Sequence, residues 1–318
     1  MKYLKISAFT TIILLTLTLF SMTYNGKEIS IHDSNRYFID DNGTKIESLG
    51  EYNKVYPFQI IGDAVYFCAN IKNRYMLIDV ENGKPVFTES DREITVEEFG
   101  GLTFYRCYKA KQVAIISIPL GDSIGIAYDK LLDLKMMDQR PIIRAVLDKK
   151  SLWVDLTTGK ILGNIKERFV TDPIKINDDV WLINVRNGKS SYYVNVDTDS
   201  IIGGIYDQTN NIVSLDTIKA FVATGIEGEE WINAATGESL FGLFQRVNTV
   251  NTINERWFST VKLKDKWYII DSLNGKLKGN GYDAIFEIIP AGNNWLVKVN
   301  NDSKDYWVNI GTENTFEH

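Results

Sequence analysis

The chain has 318 residues, 44% of them hydrophobic and 12% aromatic, with 35 Lys and Arg against 41 Asp and Glu for a net charge of −6. That balance builds a packed core and excludes a low-complexity chain, and it lacks the basic footprint of a nucleic-acid binder. With His32 and His318 as the only histidines, a His-based triad or a His-rich zinc site is excluded as well.

Residues 1–25 differ in kind from the rest. Lys2 and Lys5 precede a run of apolar and hydroxyl residues, Ile6–Phe20, and polar residues follow. This is the layout of a secretory signal peptide or a short signal-anchor. The segment predicts export to the periplasm, the cell surface or the exterior. Any membrane attachment would run through residues 6–20.

Residues 26–318 read as a single domain built from one repeated unit. Its clearest copy is Lys264–Asp283: a buried strand, an Asn-Gly turn, a short second strand, and a Tyr-Asp that opens the next copy. The polar residue ending the buried strand recurs at Asp40, Asp79, Ser117, Asp155, Asn195, Asn233, Asp271 and Asn309, in steps of 39, 38, 38, 40, 38, 38 and 38. A second column opens each following copy, at Tyr52-Asn53, Ser90-Asp91, Tyr128-Asp129, Lys166-Glu167, Tyr206-Asp207, Phe244-Gln245 and Tyr282-Asp283. Both columns take their one 40-residue step at the same place, so the period belongs to the fold.

Two residues before the first column stand Phe38, Leu77, Ile115, Trp153, Tyr193, Trp231, Ile269 and Trp307, which period-2 alternation places on a packed face. The Asp or Asn can cap the turn through its side-chain oxygen. Four residues on, Gly83, Gly121, Gly159, Gly237 or Gly275 supplies a backbone position with positive φ; the first copy has Gly43 one place early and the fifth has Asp199. A further strand precedes each hairpin, as at Val65–Cys68, and room remains for another, as at Ala284–Ile289. About four short strands per period predict an all-β chain, a β-propeller of seven to eight four-stranded blades of about 38 residues each. A linear β-solenoid of the same repeats is the alternative.

Ser151–Lys160 and Glu230–Glu238 resemble the inner hairpin of WD-type and quinoprotein-type propeller blades, and Gly275–Ile285, with its Gly-Lys…Tyr-Asp-x-Ile pattern, is similar to WG repeats. The resemblance is at the level of the blade. Val154, Ile232 and Val308 stand where WG repeats carry glycine, and Ile161-Leu162 where quinoprotein blades carry tryptophan. It therefore implies the fold and no cofactor.

Few residues point to chemistry. Gly121-Asp-Ser123-Ile-Gly125 matches a nucleophile elbow, but it falls in a hairpin turn and only His318 follows it, so it reads as a turn. No cysteine pair has metal spacing. Cys68 and Cys107 lie on matching strands of neighbouring copies and read as buried thiols, with a disulfide as the alternative. The acidic column is the serious candidate: Asp91, Asp129, Glu167, Asp207 and Asp283 could ring one mouth of a channel and hold a cation or an amine. Against that, repetition in every copy suits a turn cap. Lysines and arginines before each hairpin, such as Lys72, Arg74 and Lys266, form a charged rim on the same side. No catalytic, cofactor-binding or metal residue is assigned.

These readings predict a non-catalytic binding or scaffolding propeller of the cell envelope or exterior, taking a protein or glycan ligand on a loop rim and no nucleic acid. Two alternatives stand beside it: a carboxylate-dependent glycan-acting enzyme, and an extracytoplasmic sensor domain held by an uncleaved N-terminal segment.

Overall fold

The structure is a computed structural model. It describes residues 21–24, 27–32, 37–40, 52–61, 64–86, 89–118, 120–164, 167, 169–215, 217–248, 251–253, 256–271, 276–292, 294–310, 312 and 314–316. The expected leader up to residue 20, the strand expected around Lys45–Leu49, Gly43, Gly275 and His318 lie outside the described residues.

Among the described residues the fold is all-β, with eight small antiparallel sheets, each made of strands consecutive in the chain. Sheet 1 joins Ser21–Tyr24, Lys27–His32 and Tyr37–Asp40. Sheet 2 joins Lys54–Ile61, Ala64–Ile71 and Arg74–Asp79. Sheet 3 runs Val96–Phe99, Leu102–Lys109, Gln112–Ser117 and Ser123–Tyr128. Sheet 4 joins Lys130–Met137, Arg140–Leu147 and Lys150–Asp155.

In sheets 5, 6 and 7 the first strand is split in two. Phe169–Val170 and Ile174–Lys175 both pair with Trp181–Asn187, which continues to Ser190–Asn195 and Ile201–Tyr206. Gln208–Thr209 and Val213–Leu215 pair with Ile218–Gly225, then Gly228–Asn233 and Ser239–Phe244 follow. Arg246–Val247 and Asn251–Ile253 pair with Arg256–Leu263, before Lys266–Asp271 and Leu277–Tyr282. Sheet 8 runs Ala284–Ala291, Asn294–Asn301, Lys304–Asn309 and Thr315–Phe316.

Turn chemistry sets these boundaries. The third strand of each sheet ends at Asp40, Asp79, Ser117, Asp155, Asn195, Asn233, Asp271 and Asn309, the residues of the first repeat column. Asp155 Oδ1 accepts from Thr157 N at 2.7 Å, and Asn195 and Asn233 do the same two residues on, at 2.9 and 2.8 Å. The residue four places on turns the chain back with positive φ: Gly83, Gly121, Gly159, Gly237, and Asp199 at 59°. Its N–H donates to the carbonyl of the strand-ending residue, at 2.8 Å for Gly159. In sheets 2 to 8 the second and third strands meet in two-residue turns. Lys72-Asn73, Asp148-Lys149, Lys264-Asp265 and Asp302-Ser303 all have positive φ at both positions, the geometry that matches strand twist.

The chain divides into two compact parts, Met1–Ile161 and Leu162–His318. In each part, successive sheets pack face to face over their own cores. Phe38 of sheet 1 lies with Phe58 and Phe67 of sheet 2. Tyr105 and Ile116 of sheet 3 cover Leu77 and Cys68 of sheet 2, and Phe104 and Ile115 on its other face meet Ile143 and Val154 of sheet 4. In the second part Tyr193 packs on Phe221, Trp231 on Val261 and Ile270, and Phe258 on Trp295. Seven of the eight large residues expected on a packed face are buried, and Trp307 is half-buried.

Small residues let the sheets approach. A Cβ on Gly159, in the last turn of sheet 4, would lie 2.5 Å from the backbone nitrogen of Gly125 on the edge of sheet 3, and Gly237 meets Gly203 in the same way. Gly125 has φ +73° and sits under the Tyr128 hydroxyl, so the tyrosine of the second column covers the glycine three residues before it. The Gly-x-Ser-x-Gly stretch is thus a turn glycine and a bulge glycine around an edge strand. Cys68 and Cys107 form no disulfide and lie buried in one core between sheets 2 and 3. Burial pushes the Cys68 thiol up to about 12. Among the described residues no helix is long and apolar enough to cross a membrane.

Candidate functional site

The acidic column falls where one sheet hands over to the next, just before each first strand. There its oxygen reaches a turn about nineteen residues on. Asn53 accepts from Lys72 N at 2.7 Å, Asp91 from Ala110 N at 2.6 Å, Asp129 from Asp148 N at 2.7 Å, and Asp283 from Asp302 N at 2.8 Å. Gln245 plays the same part for Asp265 N at 2.7 Å. The positive-φ turn aims its free N–H back at the first strand, and an acceptor there satisfies it. Asp207 makes no such side-chain bond to a described residue. Its opposite turn, Ile226-Glu227, lacks the positive φ of the others.

Two of these acids also meet a base on the preceding sheet. Arg74 pairs with Asp91, and Lys266 Nζ lies 2.6 Å from Asp283 Oδ1. Both pairs join the first residue of a third strand to the acid seventeen residues later, so part of the charged rim neutralises the acidic column. The Lys266 bond, then the Asp302 N–H, hold the Asp283 carboxyl below the usual carboxylate range. Among the described residues no three His, Cys, Asp or Glu side chains gather as a metal cluster.

A cleft of about 710 Å³ opens instead on the first strands of sheets 6, 7 and 8. Three residues past the acidic column, the chain places Asn210, Asn248 and Phe286 on its wall, 38 residues apart. All three are exposed. Asn210 and Asn248 stand where the first strands of sheets 6 and 7 break, and Phe286 sits at a register shift in Ala284–Ala291. Breaks and bulges of this kind re-aim side chains. Gln208, Arg246, Glu229 and Glu287 complete the polar wall, with Val247 and Ile288 between them.

Several wall groups are fixed before any ligand arrives. Asn248 Nδ2 donates to Thr260 Oγ1 at 2.8 Å and its backbone carbonyl accepts from Ser259 Oγ at 2.8 Å. Glu229 Oε2 accepts from Val247 N at 2.6 Å, which ties sheet 6 to sheet 7. The Asn210 carbonyl takes the Tyr193 hydroxyl at 2.9 Å. The sequence reading passed over Asn210, Asn248 and Phe286. A signal was there: the same column reads Tyr56, Ile94, Leu132 and Val170 in earlier repeats, then turns to asparagine in two successive copies.

No family model matches the chain, and no curated protein matches it. Among solved structures it is similar to AztD from Citrobacter koseri, at 15% identity over 91% of this chain and 92% of that one, with a TM-score of 0.29. It is similar to the dihydro-heme d1 dehydrogenase NirN at 12% identity, over 91% of this chain and 72% of that one, with a TM-score of 0.28. The extracellular domain of the one component system BT4673 from B. thetaiotaomicron matches at 10% identity, over 94% of this chain and 52% of that one, at 0.29. These likenesses are too loose to carry an activity over.

Proposed function

We propose that the chain is an exported, non-catalytic binding module of the β-propeller type, whose ligand occupies the cleft of sheets 6–8. The cleft carries this reading: its volume lies in the range of small-molecule sites, and Asn210, Asn248 and Phe286, at one repeat position, line it from three successive sheets. The 38-residue period of short antiparallel sheets, packed face to face in sequence order within each part, supports blades. Lys2, Lys5 and the Ile6–Phe20 run support export, with residues 1–25 as leader and 26–318 as the module.

A thermal-shift screen of the purified protein against sugars, peptides and small metabolites tests the reading, because a ligand of the folded state raises the melting temperature by mass action. At least one class should raise it in the wild type and not in Arg246→Ala. A screen in which nothing does so contradicts the proposal. Glu229 and Glu287 on one wall favour a second reading, a carboxylate-dependent glycan-acting enzyme. Release of new reducing ends from a polysaccharide, lost in Glu287→Gln, would select it.

A further inference from the structure

Resting on that reading, we infer that the cleft takes a neutral oligosaccharide. The wall offers what a chain of sugar rings needs: planar polar groups of both hydrogen-bonding senses, held in place, beside one bare aromatic face. Asn248 spends its amide nitrogen on Thr260, so its Oδ1 remains as an acceptor. Glu229 spends one carboxylate oxygen on Val247 N and keeps the other. Arg246 and Gln208 are exposed and supply donors, and Glu287 is an exposed acceptor. Sugar hydroxyls donate and accept at once, so they can satisfy both kinds.

Phe286 is 59% exposed inside this polar wall. An exposed ring there has a use if it covers the C–H face of a pyranose, an apolar patch on a polar ligand. The wall's ionic side chains, Arg246 against Glu229 and Glu287, leave an excess of negative charge that disfavours an anionic ligand. The three residues at 210, 248 and 286 lie on neighbouring sheets at one repeat position, which suits a ligand that itself repeats. A cleft of about 710 Å³ has room for more than one ring.

The test is a printed array of neutral, acidic and amino-sugar oligosaccharides probed with the whole protein, followed by calorimetry on the best glycan. A neutral oligosaccharide should bind. Phe286→Ala should weaken it tenfold or more and Glu287→Gln about fivefold, with the melting temperature of each free variant close to wild type. Acidic glycans binding as tightly as neutral ones, or neutral binding that Phe286→Ala leaves intact, would overturn the inference. If no glycan binds but a peptide or metabolite stabilises the protein through Arg246, the oligosaccharide is wrong and the binding module stands. If nothing binds in either assay, both fall.

Discussion

Two columns three residues apart behave in opposite ways. At five of the seven positions of the acidic column an acceptor meets the N–H of its own turn, whether the residue is Asn53, Asp91, Asp129, Gln245 or Asp283, while Glu167 and Asp207 make no such bond to a described residue. At the next column the residue changes: Tyr56, Ile94, Leu132 and Val170 are buried or half-buried, whereas Asn210, Asn248 and Phe286 are exposed on the cleft. A position that keeps one bond through changes of residue is doing architectural work. A position that keeps its place while its chemistry varies is free to meet a ligand.

The contrast breaks most visibly in the core. Trp231, 2% exposed between sheets 6 and 7, should cost about 3–5 kcal/mol when cut to alanine, as large core truncations do. Phe286→Ala should stay within about 0.5 kcal/mol in the same denaturant melts. A comparable loss at Phe286 would make it a packing residue and empty the comparison.

Next in size is Gly159→Ala. It forces a side chain into positive φ and against the Gly125 backbone, and should cost about 2–4 kcal/mol. A loss below about 0.5 kcal/mol would mean that the two sheets can part at no cost.

Much of this architecture was legible in the sequence, and the reason is local. The strand ends at Asp155, Asn195 and Asn233 are set by side-chain bonds two residues long, and the glycine four places on follows from one backbone angle. The partner of Asp129 was not legible, since it lies nineteen residues away and depends on the handedness of the Asp148-Lys149 turn. The cleft was hidden for a different reason. Asn210 and Asn248 are poor strand formers at the break between two short strand segments, and they read as loop until the pairing on either side is seen.

Smaller effects sharpen the acidic column itself. Asp129→Ala should cost about 0.5–2 kcal/mol, the range of a lost cap, while Asp129→Asn should cost little because the amide oxygen still accepts from Asp148 N. Equal losses in the two variants would show that charge, not capping, matters there.

Smallest is the pH dependence at Asp283. Its folded carboxyl titrates below the unfolded one, so its contribution is complete above the ordinary carboxylate range and is lost as pH falls through the lowered value. The Lys266 ammonium, raised chiefly by the same bond, loses its share only as pH climbs past the ordinary lysine range. Wild type and Asp283→Asn should therefore differ in melting temperature at neutral pH and converge in acid. A gap that persists below the carboxylate range would assign the stabilisation to something other than this pair.

The most direct test of the acidic column as architecture is the melting temperature of the wild type and of Asp207→Asn with and without calcium. Asp207 is a sharp probe, because its carboxylate meets no turn N–H among the described residues. Bound calcium would raise the melting temperature by mass action. The melting temperature should be the same with and without calcium in both proteins. A calcium-dependent rise in the wild type that Asp207→Asn abolishes would contradict it and make the acidic column a binding site.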